Sequence, residues 1–204
     1  MRTQEWRKAA RTGVTAALTF LTGILALLAM PGIAPAGTTE RVSVDGAGNQ
    51  GDSLSSEAAI SADGRFVAFT SLSTNLVPGD TNGVPDVFVH DRQTGTTERV
   101  SVDSAGNQGD GASAGAAISA DGRFVAFVSD ATNLVPRDTN GVVDVFLHDR
   151  QTRTTERVSV DSAGNQANGQ SSGGANRPSI SADGRFVAFR SFAFQPRARG
   201  HQRR

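Results

Sequence analysis

An all-β fold is predicted for this chain of 204 residues by three observations. The chain repeats itself. "TTERVSVD" occurs at 38–45, 96–103 and 154–161, a period of 58 residues, and "ISADGRFVAF" recurs at 60–69, 118–127 and 180–189. The last interval is lengthened by "ANGQSSGGANRPS". Each copy of the second phrase sets an Asp-Gly turn between two apolar runs, the strongest short hairpin signal. No segment after residue 36 has a helical period.

In chain order, residues 1–36 read as a secretory signal peptide, helical in its apolar part. A basic stretch with Arg7, Lys8 and Arg11 precedes the run "VTAALTFLTGILALLAM", and Ala34-Pro35-Ala36 fits the small-residue cleavage rule. The rival reading is an uncleaved membrane anchor. Cleavage after Ala36 would leave no stable membrane span and would place the product outside the cytoplasm, secreted or in the periplasm or cell envelope. Residues 37–45 are a lone outer strand. A complete four-strand unit follows at 58–103. "AAIS" (58–61) leads into the turn "ADGR" (62–65). "FVAFTS" (66–71) is apolar on both faces and needs cover on both sides. A polar loop leads to "DVFVHDR" (86–92), again apolar on both faces, and "QTGT" (93–96) turns the chain. "TERVSVD" (97–103) puts Val100 and Val102 on one face and Arg99 and Ser101 on the other, as expected of a half-exposed outer strand. A second unit repeats this at 116–161, and 178–193 supplies part of a third.

Four antiparallel strands per unit, graded from buried to exposed and joined by tight turns, predict a partial β-propeller of about two and a half blades. A β-solenoid is the alternative, but its repeats are shorter and lack tight hairpins. "ISADGRFVAF" followed by "DVFVHDRQTGTTERVSV" resembles the TolB-type, WD40-like propeller repeat, with Ala62, Ala120 and Ala182 where that family usually carries Pro. The resemblance covers about 37–193. It implies the fold and leaves function open, since propellers serve many roles.

Residues 194–204, "FQPRARGHQRR", resemble nothing else in the chain. Their codons, shifted by one base, can encode "SNLVPGDTNGV", a near copy of "TNLVPGDTNGV" at 74–84. The expectation is an out-of-frame basic tail, produced by a frameshift near Phe194 in the gene or its sequencing, and a parent with further blades. In two and a half blades, one apolar face of each terminal blade is expected to stay bare and to invite self-association.

There is no cysteine, which excludes disulfides, thiol chemistry and Cys-ligated zinc. The formal net charge is zero, but both ends are basic and the body 37–193 is acidic. An acidic body excludes nucleic acid as the expected partner, because phosphate contacts need clustered Lys and Arg.

The connections "DGAGNQGDSLSSE" (45–57) and "SLSTNLVPGDTNGVP" (71–85), with their later copies, should share one face, rich in Asp, Asn, Gly and Ser. That face is where a protein or glycan ligand is expected. Calcium is the sharpest ligand reading there. Asp80, Asn82 and Asp86, with Asp138, Asn140 and Asp144, offer hard oxygens at short spacing. The calcium-loop pattern requires an oxygen ligand where Val84 and Val142 stand, so no metal is favoured. The preferred reading is a turn held by Asp and Asn side chains. Asp45, Asn49 and Asp52 are treated alike. His90 and His148 occupy equivalent third-strand positions and are expected at a strand end beside Asp91 and Asp149. Asp63, Asp121 and Asp183 belong to hairpin turns. No hydrolase elbow, zincin motif or phosphate loop occurs, so no catalytic residue and no cofactor is expected. The functional expectation is a secreted, non-catalytic binding or scaffold module. The alternative is the propeller part of a larger secreted hydrolase or lyase.

Overall fold

The strands lie where Val, Phe and Ala alternate most densely, and tight turns, most of them containing Gly, end them. A computed structural model describes residues 39–171 and 177–194. The expected signal segment 1–36, the linker residues 172–176 and the tail from 195 onward, including His201, lie outside the described residues. All described residues fall in one compact unit, Gly37–Arg204.

Strands β1 (Ser55–Ile60), β2 (Phe66–Ser71), β3 (Asp86–Asp91) and β4 (Thr96–Arg99) form an antiparallel sheet in the order β1-β2-β3-β4. Strands β5 (Ser113–Ile118), β6 (Phe124–Ser129), β7 (Asp144–Asp149) and β8 (Thr154–Arg157) repeat it. Strands β9 (Ser179–Ile180) and β10 (Val187–Ala188) begin a third. Among the described residues there is no helix. This is the expected all-β fold of partial propeller blades.

Each innermost strand starts before its apolar run and carries a bulge, at Ser56–Ala59 and at Ala114–Ala117. The bulged residue takes a left-handed conformation, with φ +57° at Glu57 and +68° at Gly115. The hairpin turns close through Ser61 N–H donating to Phe66 C=O, with Gly64 at φ +73°. Asp63 caps each turn by accepting from Ser61 Oγ (2.6 Å) and from Arg65 N–H (3.0 Å). Asp121 and Asp183 do the same.

Three expectations need correction. The outer strand ends at Arg99 and Arg157 rather than running to Asp103 and Asp161. Beyond it the chain turns back on itself, leaving only single bridges at Val102 to Gln108 and Val160 to Gln166. Residues 39–45 form no strand, only a bridge from Val44 to Gln50, because no partner resembling β3 lies beside them among the described residues. The third unit's strands have two residues each instead of six. A second strand gains its length from neighbours on both sides, and among the described residues β10 pairs with β9 alone.

The core lies between blades. The β2–β3 face with Ala68, Val87 and Val89 packs on the β6–β7 face with Val125, Phe127 and Phe146, all essentially fully buried. The far face of the first blade is not bare, as had been expected. Phe69 and Phe88, stacked with ring centroids 5.9 Å apart, are covered by Leu76, Val77 and Val42, the last from the N-terminal segment. The far face of the second blade is also covered, with Val145 at 0% exposure. Large exposed apolar side chains occur instead at Leu54, Ile60 and Leu72 in the first blade and at Phe186, Phe192 and Phe194 in the third unit.

At the turn end, successive blades meet through one recurring joint. Ala62 N–H donates to Ala120 C=O, and Ala120 N–H to Ala182 C=O, each at 3.0 Å. The Phe66 ring lies over Gly122 and the Phe124 ring over Gly184, so closely that a Cβ on either glycine would collide with the ring. Arg150 caps the first joint. Its guanidinium stands 4.3 Å from the Phe66 ring centroid, donates to Gly122 C=O and pairs with Glu98.

Candidate functional site

The long loops between second and third strands and the connectors between blades converge at the end opposite the turns. Antiparallel pairing dictates this: a turn at 61–65 sends the 72–85 loop to the other end of the sheet. The loops are stitched to the connectors by side chains. Asp52 accepts from Thr74 N–H and Thr74 Oγ1, both at 2.8 Å, and Asn75 answers by accepting from Asp52 N–H at 3.0 Å. Asp110, Thr132 and Asn133 repeat the arrangement. These bonds hold the Asp52 carboxyl below its ordinary range, the Thr74 hydroxyl contributing most. Asp45 folds its own connector, accepting from Ala47 N–H, Asn49 N–H and Asn49 Nδ2. Asp45, Asn49 and Asp52 therefore serve as turn and loop ties.

Beneath this surface lies a buried polar cluster built on the six calcium candidates. In the first blade Asp86 is fully buried. Its Oδ1 accepts from Ser101 Oγ (2.5 Å), and its Oδ2 accepts from Asn82 Nδ2 and Gln108 Nε2, both at 3.1 Å. Gln108 Nε2 also donates to Asp80 Oδ1 at 2.8 Å. Asn82 reaches Gly109 C=O at 3.0 Å and its own Oδ1 accepts from Val84 N–H. A cation already faces the two carboxylates. Arg99 Nη1 stands 3.4 Å from Asp80 Oδ1 and 3.7 Å from Asp86 Oδ2, with its side chain only 9% exposed. The second blade is tighter: Arg157 Nη1 is 2.9 Å from Asp138 and 3.4 Å from Asp144, and Asn140 Nδ2 donates to Asp144 at 2.7 Å. Burial raises the carboxyls of Asp80 and Asp138 above their ordinary value. The neighbouring Asp86 and Asp144 charges add to the rise, and the guanidiniums oppose it.

The sequence placed Arg99 and Ser101 on an exposed face, and the structure turns both inward. The strand ends at Arg99, so strict alternation stops applying there. A legible signal was the charged residue itself, recurring thirteen positions after the buried Asp in both blades. Gln108 and Gln166 were likewise missed. Gln108 bridges Asp80 and Asp86, whereas Gln166 turns to the Thr139 backbone and hydroxyl.

The histidines lie away from this cluster. His90 and His148 are one residue short of the strand end, and each Nδ1 meets a threonine hydroxyl, Thr97 or Thr155, at 2.9 Å. Burial lowers both imidazoles below their ordinary value. Asp91 and Asp149 are bound two-pronged by Arg65 and Arg123, which hold their carboxyls well below the usual range. A cleft of about 570 Å³ lies between Asp45–Gly46, the 74–79 loop and the hydroxyls of Thr96 and Thr97, which stand at the turn end of β4.

No protein-family model and no curated protein matches this chain. Among solved structures it is similar to a putative TolB from Agrobacterium tumefaciens, with TM-score 0.41, 19% identity, 66% of this chain covered and 37% of that one. It is similar to TolB from Acinetobacter baumannii, with TM-score 0.36, 20% identity, 67% of this chain and 37% of that one. A third is the β-propeller domain of the Trilobed protease from Pyrococcus furiosus, with TM-score 0.40, 13% identity, 67% of this chain and 34% of that one. The chain thus spans little more than a third of the length of these structures. The four-stranded antiparallel blades stand on the hydrogen-bonded sheets above.

Proposed function

We propose that this chain is a non-catalytic propeller module that binds a polar ligand, a protein or glycan of the cell envelope, on its loop-rich end. The observation that carries this reading is that the loop side chains of both blades are committed to one repeated internal network. A network of that kind fixes the loop backbone before any ligand arrives, so little ordering entropy remains to oppose binding. What projects from it is a rim of exposed Thr81, Gly83, Arg137 and Thr139. In this reading Arg99 and Arg157 occupy the place a metal ion would take, so Asp80, Asn82 and Asp86 and their copies are structural. The basic and apolar N-terminal sequence supports export as the route to that location.

The test is an NMR titration of the labelled chain with soluble peptidoglycan fragments and, separately, with purified envelope proteins. Shifts should cluster at 72–85, 130–143 and the connectors, and the ligand should be recovered intact. Shifts confined to the 61–65 and 119–123 turns, or turnover of the ligand, would overturn the reading.

A further inference from the structure

Among the described residues, the joint that links successive blades also occurs as two unfilled halves, one in the first blade and one in the third unit. Where it is complete, the Phe66 ring lies over Gly122 and meets the Arg150 guanidinium, and Phe66 and Ile118 both pack against the core between the blades. The equivalents of Ile118, Gly122 and Arg150 in the first blade are Ile60, Gly64 and Arg92. Ile60 is 58% exposed, whereas Ile118 is packed. Among the described residues no ring lies over Gly64. A Cβ there would meet only Arg92 Nη1 at 3.6 Å and Ile60 Cδ1 at 3.9 Å, both ordinary contacts. Arg92 already holds the pose of Arg150: it donates to Gly64 C=O at 2.7 Å and pairs with Glu40, as Arg150 pairs with Glu98. Among the described residues the notch is therefore formed and unfilled. At the other end, Phe186, the equivalent of Phe66 and Phe124, is 66% exposed.

We propose that the chain associates head to tail with a second copy, the Phe186 ring of one seated in the Ile60–Gly64–Arg92 notch of the next. The argument is continuity with an interface the chain already makes twice, at Phe66–Gly122 and Phe124–Gly184. The backbone ladder Ala62 to Ala120 to Ala182 then continues, with Ala182 N–H of one copy donating to Ala62 C=O of the next. The contact is heterologous, using different patches on the two partners, and so is directional.

The chain has no cysteine, so introduced thiols report on this geometry alone. Purified chains carrying Ala62→Cys and Ala182→Cys are mixed and oxidised. An intrachain Ala62→Cys, Ala120→Cys pair serves as the yardstick, because those residues are joined by a backbone hydrogen bond. The expected result is a disulfide between unlike chains only. Phe186→Asp should remove it, together with concentration-dependent association in sedimentation. That substitution is at an exposed position and should leave circular dichroism unchanged. The proposal is overturned by a chain that sediments as a monomer at every concentration and forms no mixed disulfide. A further blade of a longer chain in the notch would give that result. Disulfides only between like cysteines, or association that survives Phe186→Asp, would overturn it equally.

Discussion

Arg99 and Arg157 are the residues on which the loop end depends. Each faces two buried carboxylates at once, and removing one partner from such a group leaves charge buried without compensation, at a cost of about 3–5 kcal/mol. Arg99→Met is therefore expected to lower urea-unfolding stability by about that amount at pH 7. The pH dependence has a definite sign. Burial already raises the Asp80 carboxyl above its ordinary value, and loss of the guanidinium raises it further. A raised carboxyl destabilises the fold while it is charged, and that cost is lifted as pH falls through its folded pKa toward the unfolded value near 4. The Arg99→Met deficit should thus shrink between pH 7 and about pH 4, and a constant deficit would point to lost packing alone. Millimolar calcium is expected to leave the melting midpoint unchanged. A rise of several degrees, diminished in Asp80→Ala with Asp138→Ala, would show that the carboxylates take up metal despite the arginines. The carboxylates of this cluster were legible in the sequence, because Asp, Asn and Gly at fixed offsets announce themselves. Their cation was not. It sits at the position where the outer strand ends, and a period-two reading assigns such a residue to solvent.

At the level of strands and turns, the near-identity of the two blades supplies its own controls. Arg137 (φ +63°) and Arg153 (φ +59°) occupy left-handed backbone positions where the first blade has Gly79 and Gly95. A side chain there costs roughly 1–2 kcal/mol. Part of that is offset because glycine loosens the unfolded chain. Arg137→Gly and Arg153→Gly should each raise stability by about 0.5–1 kcal/mol, measured by chemical denaturation. Glu57 (φ +57°) is strained in the same way, yet its carboxylate accepts from Gly115 N–H at 2.8 Å and from Thr70, so Glu57→Gly carries no such expectation. The inner and middle strands could be read from the Asp-Gly turns and the two-sided apolar runs. The outer strand and the segment 39–45 could not, because their state depends on which neighbour is present to pair with them. The cover that 39–45 gives to Phe69 and Phe88 through Val42 was hidden for the same reason.

Across the molecule, blades communicate only with their neighbours, so stability is a sum of blade and joint contributions. Two alanine substitutions separate these. Gly64 and Gly122 have the same backbone conformation, φ +73° and +74°, and differ in what lies above them. Gly64→Ala meets only ordinary van der Waals contacts and bears only the cost of the left-handed backbone. Gly122→Ala adds a collision with the Phe66 ring, worth a further 1–3 kcal/mol or so by the usual penalty for overpacking. Denaturation at high dilution should show that difference, and equal losses would mean the ring simply moves aside. The joint has another property. Phe66, Ile118, Gly122 and Arg150 each stand at the same place within their own repeat as a residue of the neighbouring repeats, so a single unit carries both the ring and the seat that receives one. Such a unit is compatible with its own descendants. Unequal crossing-over that inserts or deletes 58 residues in register would bring ring and seat together again without one compensating substitution, so copy number in this lineage is free to drift while the contact between copies is inherited intact.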